Sequence, residues 1–289
     1  MAFRRRAVTP LTSAPMPAGE PAATIELDYP VRPRSRYGWG TPPHPQLEAL
    51  LVSGTDHYRS VLEGFLAHAG ELASVTVDAP ESAGDPRWGN DYLPGLDAVA
   101  LYAFVADLAP ALYLEVGSGN STKFAARAIR DHALPTRVVS IDPFPRAEID
   151  ALCDEVIRQP AEDVDLAVYD ALAPGDILFI DNSHRVLQNS DATVMLTEVV
   201  PALAPGVLVG IHDIFLPDDY PPQWADRWYS EQYLLAAWLL GGAGGAEIVL
   251  PAHFIRSRPE LASICDPIWE APHLAAVERH GGAFWLRTA

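Results

Sequence analysis

The chain has few cysteines and few basic residues, and both shortages limit what it can be. Only Cys153 and Cys265 occur in 289 residues. Two lone cysteines give neither a zinc-binding pattern nor a disulfide framework, so we expect free thiols in a reducing cytoplasm. The 38 acidic residues outnumber the 20 lysines and arginines, which leaves a net charge of −18. Such a charge repels polyanions, so neither nucleic acid nor an anionic membrane is expected as a partner.

Long apolar runs are missing as well. No stretch reaches the roughly 20 residues that a membrane-spanning helix needs, and the N-terminus lacks the apolar core of a secretory signal. Residues 1–25, rich in proline, alanine, serine and threonine, are predicted to be a disordered leader. Residues 26–110 are predicted to form an arm and a helical extension, and the arm either covers the main domain or helps to assemble a homodimer. Residues 111–289 are predicted to form that domain.

Short apolar runs alternate with helical patterns from residue 113 onwards. This order is typical of a parallel sheet with helices on both faces, so the predicted fold class is α/β with a Rossmann-like, mostly parallel sheet. Strands are predicted at 112–116, 137–141, 154–158, 176–180, 207–211, 247–250 and 283–287. Helices are predicted within 45–73 and at 96–108, 121–133, 191–203 and 226–240.

A glycine-rich turn follows the first predicted strand, in the run YLEVGSGNST at residues 113–122. Glycine lets the backbone turn sharply and approach a ligand, and the N–H groups of a helix capped by Asn120 or Ser121 would face the same ligand. A dinucleotide fingerprint requires a third glycine where Thr122 stands, which argues against a nicotinamide cofactor. Glu115, just before the turn, suits a ligand with a cationic amine better than a pyrophosphate.

Polar residues also follow other predicted strands: Asp142, Asp181 and the pair His212-Asp213. Parallel strands end at one edge of their sheet, and ligands bind there. Asp142 comes about twenty residues after the glycine turn, a spacing at which a carboxylate accepts hydrogen bonds from ribose hydroxyls. His184 follows Asp181 closely, and an imidazole is suited to accept a proton near neutral pH.

These features resemble the class I methyltransferases that use S-adenosylmethionine (SAM). The glycine turn is similar to their motif I, (D/E)-x-G-x-G, and the runs FIDNSH, PALAPGVLVGIHDIFLPDDYP and EQYLLAAWL resemble the methyltransferase 24-like group. The resemblance covers roughly residues 88–250 and implies a seven-stranded sheet whose last strand is antiparallel. It implies that SAM contacts the following residues: Glu115, Gly117, Ser118, Gly119, Asn120, Ser121, Asp142 at the ribose, Glu162 near the adenine, and Asp181.

Two roles are open for the residues that follow the fourth and fifth strands. Some small-molecule O-methyltransferases hold Mg²⁺ at these positions, which implies a metal site at Asp181, His212 and Asp213. Because imidazole prefers softer ions, Mn²⁺, Fe²⁺ or Zn²⁺ would suit this set better than Mg²⁺. The other role is metal-free general base catalysis by His184 or His212, assisted by Asp181. The sequence favours metal-free general base catalysis, because it does not offer a full set of metal ligands.

The sequence thus predicts a cytoplasmic, SAM-dependent methyltransferase that acts on a small-molecule acceptor, at oxygen. The aromatic and proline-rich run from Phe215 to Trp224 is predicted to form a wall of the acceptor site. Two alternatives stay open: a nicotinamide-dependent oxidoreductase on the same fold, and a SAM-binding protein without catalytic activity.

Overall fold

The computed structural model describes residues 28–78, 84–145 and 147–289, so the predicted leader at residues 1–25 lies outside the described residues. The chain divides into two units. The described part of the first, residues 28–33, contains no helix or strand. The second unit, Arg34–Ala289, contains the sheet and the helices. No helix in the described ranges combines the length and the apolarity needed to cross a membrane.

Helices precede the sheet and then alternate with its strands. The helices are α1 (Pro45–Val52), α2 (Thr55–Phe65), α3 (Ala69–Ala73), α4 (Gly95–Leu108), α5 (Asn120–Asp131), α6 (Asp191–Val194), α7 (Val200–Ala202), α8 (Glu231–Leu240), α9 (Ala252–Arg256) and α10 (Pro259–Ala262). The strands are β1 (Leu112–Val116), β2 (Arg137–Ile141), β3 (Glu155–Ile157), β4 (Ile177–Ile180), β5 (Leu208–Ile211), β6 (Glu247–Pro251) and β7 (Phe284–Arg287). A π-helical turn, Met195–Val199, joins α6 to α7.

The described strands form one seven-stranded sheet in the order β3-β2-β1-β4-β5-β7-β6. The first five strands pair in parallel, and β7 inserts antiparallel between β5 and β6. Residues 112–116, 177–180 and 208–211 are all buried, as expected of central strands that helices cover on both faces. The Rossmann-like fold, with β7 antiparallel, is therefore confirmed.

The helical extension shares its hydrophobic core with the sheet. Most of α4 is buried, and it packs along α5. The ring of Phe104 on α4 lies 4.9 Å from that of Trp285 on β7, and Trp285 lies 5.5 Å from Phe179 on β4. These aromatic contacts join the extension to the centre of the sheet, so α4 can carry residues of a site at the sheet edge.

Three predicted helix boundaries are wrong. The helix expected at 226–240 begins only at Glu231, because Trp228 adopts a left-handed conformation, with φ of 57°, that an α-helix does not accommodate. The helix expected at 191–203 is interrupted by the π-helical turn just before Pro201, whose ring nitrogen has no hydrogen to donate. Helix α5 begins at Asn120, so its N-cap is Gly119 rather than Asn120 or Ser121.

Candidate active site

The carboxyl ends of β2, β1, β4 and β5 lie side by side, because these strands are neighbours in the sheet and run in parallel. A smaller cavity of about 400 Å³ opens beyond β1 and β2, and a larger one of about 910 Å³ opens beside β4 and β5. Asp181, the residue after β4, lines both cavities. Asp181 is therefore common to the walls of both spaces.

The glycine turn closes tightly against the end of β4. Gly117 has φ of +83°, and a Cβ atom at this position would lie 1.8 Å from the carbonyl oxygen of Asp181. No other residue type fits there, so glycine is required at residue 117 for both its conformation and its lack of a side chain. Gly117 and Ser118 line the smaller cavity.

Asp142 joins the ends of β1 and β2 beside the smaller cavity. Its Oδ2 accepts a hydrogen bond from the Ser118 N–H at 2.7 Å, and its Oδ1 accepts one from the Phe144 N–H at 2.7 Å. Each oxygen keeps a further lone pair, so the carboxylate can also accept hydrogen bonds from a ligand's hydroxyl groups. Asp142 lines the cavity, as the ribose hypothesis requires.

The rest of this wall combines acids with an exposed aromatic ring. Glu162 lines the cavity, and burial raises its pKa. Asp191 also lines it and accepts hydrogen bonds from the N–H and hydroxyl of Ser183 at 2.8 and 2.5 Å. The ring of Phe144 stands 55% exposed at the rim. Phe144 and Asp191 were not predicted as site residues. A flat apolar ring beside hydroxyl acceptors suits a nucleoside such as the adenosyl group of SAM.

Glu115 does not lie on the wall of either cavity. Its side chain is fully buried, and the Thr122 hydroxyl at the start of α5 donates to its Oε2. Burial raises the pKa of Glu115 to about 7, although hydrogen bonds from Ser121 and Thr122 lower it in part. Gly119, Asn120 and Ser121 are likewise absent from the smaller cavity's wall. For this group of residues, contact with a cofactor stays a prediction.

His184 lies buried among three acids. Its Nδ1 lies 3.0 Å from Glu231 Oε2, and its Nε2 lies 3.2 Å from Asp181 Oδ1 and 3.4 Å from Asp213 Oδ2. Asn182 fixes this arrangement, because it accepts from the His184 N–H at 2.7 Å and donates to the other Glu231 oxygen at 2.8 Å. Each ring nitrogen of His184 therefore faces a carboxylate.

His212 approaches the same two aspartates from β5. Its Nε2 lies 3.2 Å from Oδ2 of Asp97, a fully buried residue of α4. The Asp97 carboxylate also accepts hydrogen bonds from the N–H groups of residues 282 and 283 at 2.7 and 2.9 Å. The Nδ1 of His212 lies 3.4 Å from Asp181 Oδ1 and 3.6 Å from Asp213 Oδ1, but it has no hydrogen-bond partner among the described residues. This nitrogen is an unpartnered polar atom in a buried place.

The surrounding charges shift the pKa values in this cluster strongly. Burial alone would lower the pKa of His184 and of His212, but the carboxylates around each ring raise both pKa values well above the ordinary value of 6.5. Burial would raise the pKa of Asp181, yet His212 and His184 lower it below its usual range. The surrounding carboxylates therefore favour the protonated form of both imidazoles.

The inner atoms of this cluster are suited to hold a metal ion. Ligand atoms from Asp181, His212 and Asp213 lie within 4.8 Å of one another. On each histidine the outer nitrogen faces an acid, Glu231 or Asp97, which fixes the ring and leaves the inner nitrogen for a cation. Carboxylate–histidine pairs of this kind orient metal-binding imidazoles in many proteins.

The larger cavity has a wall rich in aromatic side chains. Trp39, Trp88, Tyr92, Phe215, Trp224 and Tyr229 line it together with the cluster. Phe215 and Trp224 come from the run predicted to form the acceptor wall, whereas Trp39 comes from the N-terminal arm and was not predicted. Trp39 is held by its Nε1, which donates to the Asp219 carbonyl at 2.8 Å. This cavity suits a small molecule with a flat, apolar body.

Comparison with known proteins agrees with this geometry. Residues 114–214 match a family model described as a methyltransferase domain. This segment contains the glycine turn, Asp142 and the inner residues of the cluster. The matched segment is a class I methyltransferase domain, and the cofactor of that class is SAM. No curated protein matches the sequence.

Several solved structures are similar in part. The O-methyltransferase TomG of tomaymycin synthesis, from Streptomyces achromogenes, is 17% identical, with 65% of this chain and 77% of that chain covered and a TM-score of 0.39. A methyltransferase from Podospora anserina, bound to S-adenosylhomocysteine (SAH), is 15% identical, with 78% and 88% covered and a TM-score of 0.40. An O-methyltransferase from Bacillus cereus, also with SAH, is 15% identical, with 80% and 90% covered and a TM-score of 0.36.

Proposed function

We propose that the chain transfers the methyl group of SAM to an oxygen atom of a small organic acceptor. In this proposal SAM binds in the smaller cavity and the acceptor binds in the larger one. The observation that carries the proposal is the position of Asp181, which lines both cavities. A donor and an acceptor bound on its two sides would meet at the cluster, where direct transfer by in-line displacement requires them to meet.

The residues of the chain would act mainly by position. Bound SAM supplies an electrophilic methyl group on its sulfonium. Gly117 and Ser118 would form the floor under the cofactor, and Asp142 would bind its ribose. Transfer to the acceptor oxygen would form the oxygen–carbon bond and break the carbon–sulfur bond, whose electron pair would stay on sulfur. The hydroxyl proton would pass to solvent water in the open cavity. Alignment of the reacting groups supplies much of the acceleration in such transfers.

We further propose that the cluster binds a divalent metal ion, held by Asp181, Asp213, His184 and His212. The unpartnered Nδ1 of His212 and the paired outer nitrogens of both rings support this proposal. A metal ion at this place supplies Lewis acidity, which lowers the pKa of a nearby hydroxyl. The imidazoles favour Mn²⁺, Fe²⁺ or Zn²⁺ over Mg²⁺.

This geometry supports a metal site better than the metal-free histidine base that the sequence alone favours. A general base must be unprotonated before the reaction, and its reactive nitrogen must reach the acceptor. His184 and His212 are each flanked by acids on both sides, and only 3% and 4% of their side-chain surfaces are exposed. The acids favour the protonated rings, and the small exposed surface leaves little room for an acceptor hydroxyl.

Calorimetric titration of EDTA-treated protein tests the metal site. We expect one Mn²⁺ or Zn²⁺ per chain, and we expect Mg²⁺ to bind more weakly. His212→Ala should lose at least tenfold in affinity, because it removes a ligand. His68→Ala is the matched control, since His68 is also buried and paired with an acid, Asp107 at 2.8 Å, but lies outside the cluster. Equal metal binding by both variants would show that the cluster is not a metal site.

Release of SAH measures methyl transfer directly. The wild-type chain, with SAM and a panel of small phenols, alcohols and amines, should release SAH with oxygen acceptors and not with amines. Asp181→Asn should reduce the rate more than a hundredfold, because it changes the side chain that both cavities share. Turnover with amines only would contradict transfer to oxygen. A chain that binds SAM but turns over no acceptor would favour a SAM-binding protein without catalytic activity.

A further inference from the structure

Two arginines, Arg227 and Arg256, lie on the wall of the larger cavity. In the ranges that the structure describes, no ion pair joins either guanidinium to a carboxylate. In a chain with 38 acidic and 20 basic residues, two arginines on one cavity wall give that wall a positive charge, which suits an anionic ligand.

Arg227 lies against aromatic rings that lead to the cluster. Its guanidinium carbon lies 4.1 Å from the ring centre of Trp224 and 5.6 Å from that of Tyr229. The Tyr229 ring in turn lies 4.6 Å from the ring of His184. A stacked guanidinium keeps its N–H edge free to bind a carboxylate, so Arg227 can hold an anionic group one aromatic ring away from the reacting centre.

Arg256 brings a second positive charge from α9, near His280. Burial and the neighbouring charge of Arg256 lower the pKa of His280. The acids on this part of the wall do not cancel Arg256. Glu278 is 80% exposed, and its carboxylate approaches His280 at 3.5 Å. Asp91 is also exposed, although it lines the same cavity. Arg227 and Arg256 are exposed as well, so their guanidinium groups can meet an anion that enters the cavity.

The aromatic walls favour a flat molecule in the cavity that these two arginines line. The Trp39 ring lies 6.2 Å from that of Phe215, and Phe215 lies 5.1 Å from Trp224. Trp39 is anchored from the arm, because the Asp219 side chain accepts from the N–H groups of residues 36 and 37 at 2.5 and 2.8 Å. A fixed group of indole and phenyl rings contacts a planar ring over a larger area than a flexible aliphatic chain.

We infer that the acceptor is an aromatic hydroxy acid, whose carboxylate binds Arg227 and Arg256 and whose hydroxyl faces Asp181. This inference rests on the proposed function, since it names the substrate class of the same site. The aromatic walls would contact the ring of the acceptor. The negative charge of the cluster would repel the carboxylate and thus help to direct the hydroxyl end toward Asp181.

Calorimetric titration with three acids and their neutral esters tests the inference. The probes are 3-hydroxybenzoate, 4-hydroxybenzoate and 4-hydroxycinnamate, each with its methyl ester, and the protein is loaded with SAH so that the cofactor site is filled. At least one acid should bind about tenfold more tightly than its ester, because a charge-assisted hydrogen bond is lost in the ester. Arg227→Ala and Arg256→Ala should bring that acid to the affinity of its ester. Arg59→Ala, which removes a positive charge from α2 outside the cavity, should not.

The possible outcomes separate this inference from the proposed function. If SAM binds but no acid binds better than its ester, the substrate class is wrong and the methyltransferase proposal stands. If the Arg227 and Arg256 variants weaken SAM instead of the acid, the arginines serve the cofactor's own carboxylate, and the inference also fails. If Arg59→Ala has the same effect as the cavity variants, long-range charge explains the binding and the cavity arginines do not. If SAM itself does not bind, the proposed function fails first.

Discussion

Glu115 allows a direct test of the structure, because its burial makes the free energy of unfolding depend on pH. The side chain is fully buried, and burial raises its pKa from the ordinary 4.5 to about 7. In the unfolded chain this carboxyl ionises near pH 4.5, whereas in the folded chain it keeps its proton to about pH 7. Between these values the folded state holds more protons, so the free energy of unfolding must fall as the pH rises.

The size of the effect follows from the same shift. A difference between 4.5 and about 7, at about 1.36 kcal/mol for each pH unit, corresponds to roughly 3 kcal/mol. The loss begins near pH 4.5 and is complete a little above pH 7. Glu115→Gln keeps the shape of the side chain and can still accept from the Thr122 hydroxyl, but it cannot ionise. The free energy of unfolding of the variant, relative to that of the wild type, should therefore rise by about 3 kcal/mol between pH 4.5 and pH 8.

Urea unfolding of the cofactor-free protein at pH 5, 6, 7 and 8 measures this difference. Titration of the other groups is common to both proteins and cancels in the comparison. Glu63→Gln, at an exposed position of α2, is the control for the removal of a carboxylate alone, and its difference from the wild type should not change with pH. A Glu115→Gln difference that is flat or falls with pH would refute the assignment of Glu115 as a buried, proton-holding carboxyl.

The other predictions concern the turn, the cluster and the arm. Gly117→Ala should lower the free energy of unfolding by about 1 to 3 kcal/mol or more, because its methyl group would meet the Asp181 carbonyl; urea unfolding measures this, and unchanged stability would contradict the close approach. Asp97→Asn should weaken Mn²⁺ binding 10- to 100-fold by releasing the His212 ring, and equal calorimetric affinity would contradict that role. Asp219→Ala should lower the free energy of unfolding by about 1 to 2 kcal/mol, because it releases the arm. The acceptor acid should also bind more weakly in calorimetric titration. If stability and affinity are both unchanged, Asp219 does not anchor the arm.

The strands and their polar ends could be predicted because both depend on local sequence. Apolar runs followed by a single acid identify Asp142 and Asp181 without any knowledge of distant contacts. The parallel order of the sheet then brings these ends together. The same local reasoning does not reveal which way a strand-end side chain points. Glu115 is polar and precedes the glycine turn, yet it is buried against α5 instead of lining a cavity.

The partners of the histidines could not be predicted, because they come from distant parts of the chain. Asp97 lies 115 residues before His212, and Glu231 lies 47 residues after His184. Both acids occur on helices, where an acidic residue ordinarily indicates a solvent-facing side. Only the packing of α4 and α8 against the strand ends buries them. Similarly, Trp39 reaches the cavity through a contact with Asp219 that spans 180 residues.

Calorimetric titration with SAM tests the central claim most directly. EDTA-treated wild-type protein should bind one SAM per chain in the smaller cavity, with a Kd of roughly 1 to 100 µM. Asp142→Ala should weaken that binding at least tenfold, because it removes the carboxylate proposed to bind the ribose. Asp170→Ala, at an exposed position outside the cavity, should bind SAM as the wild type does. Absence of SAM binding, with or without added Mn²⁺, or equal affinity of the Asp142 variant, would contradict the account.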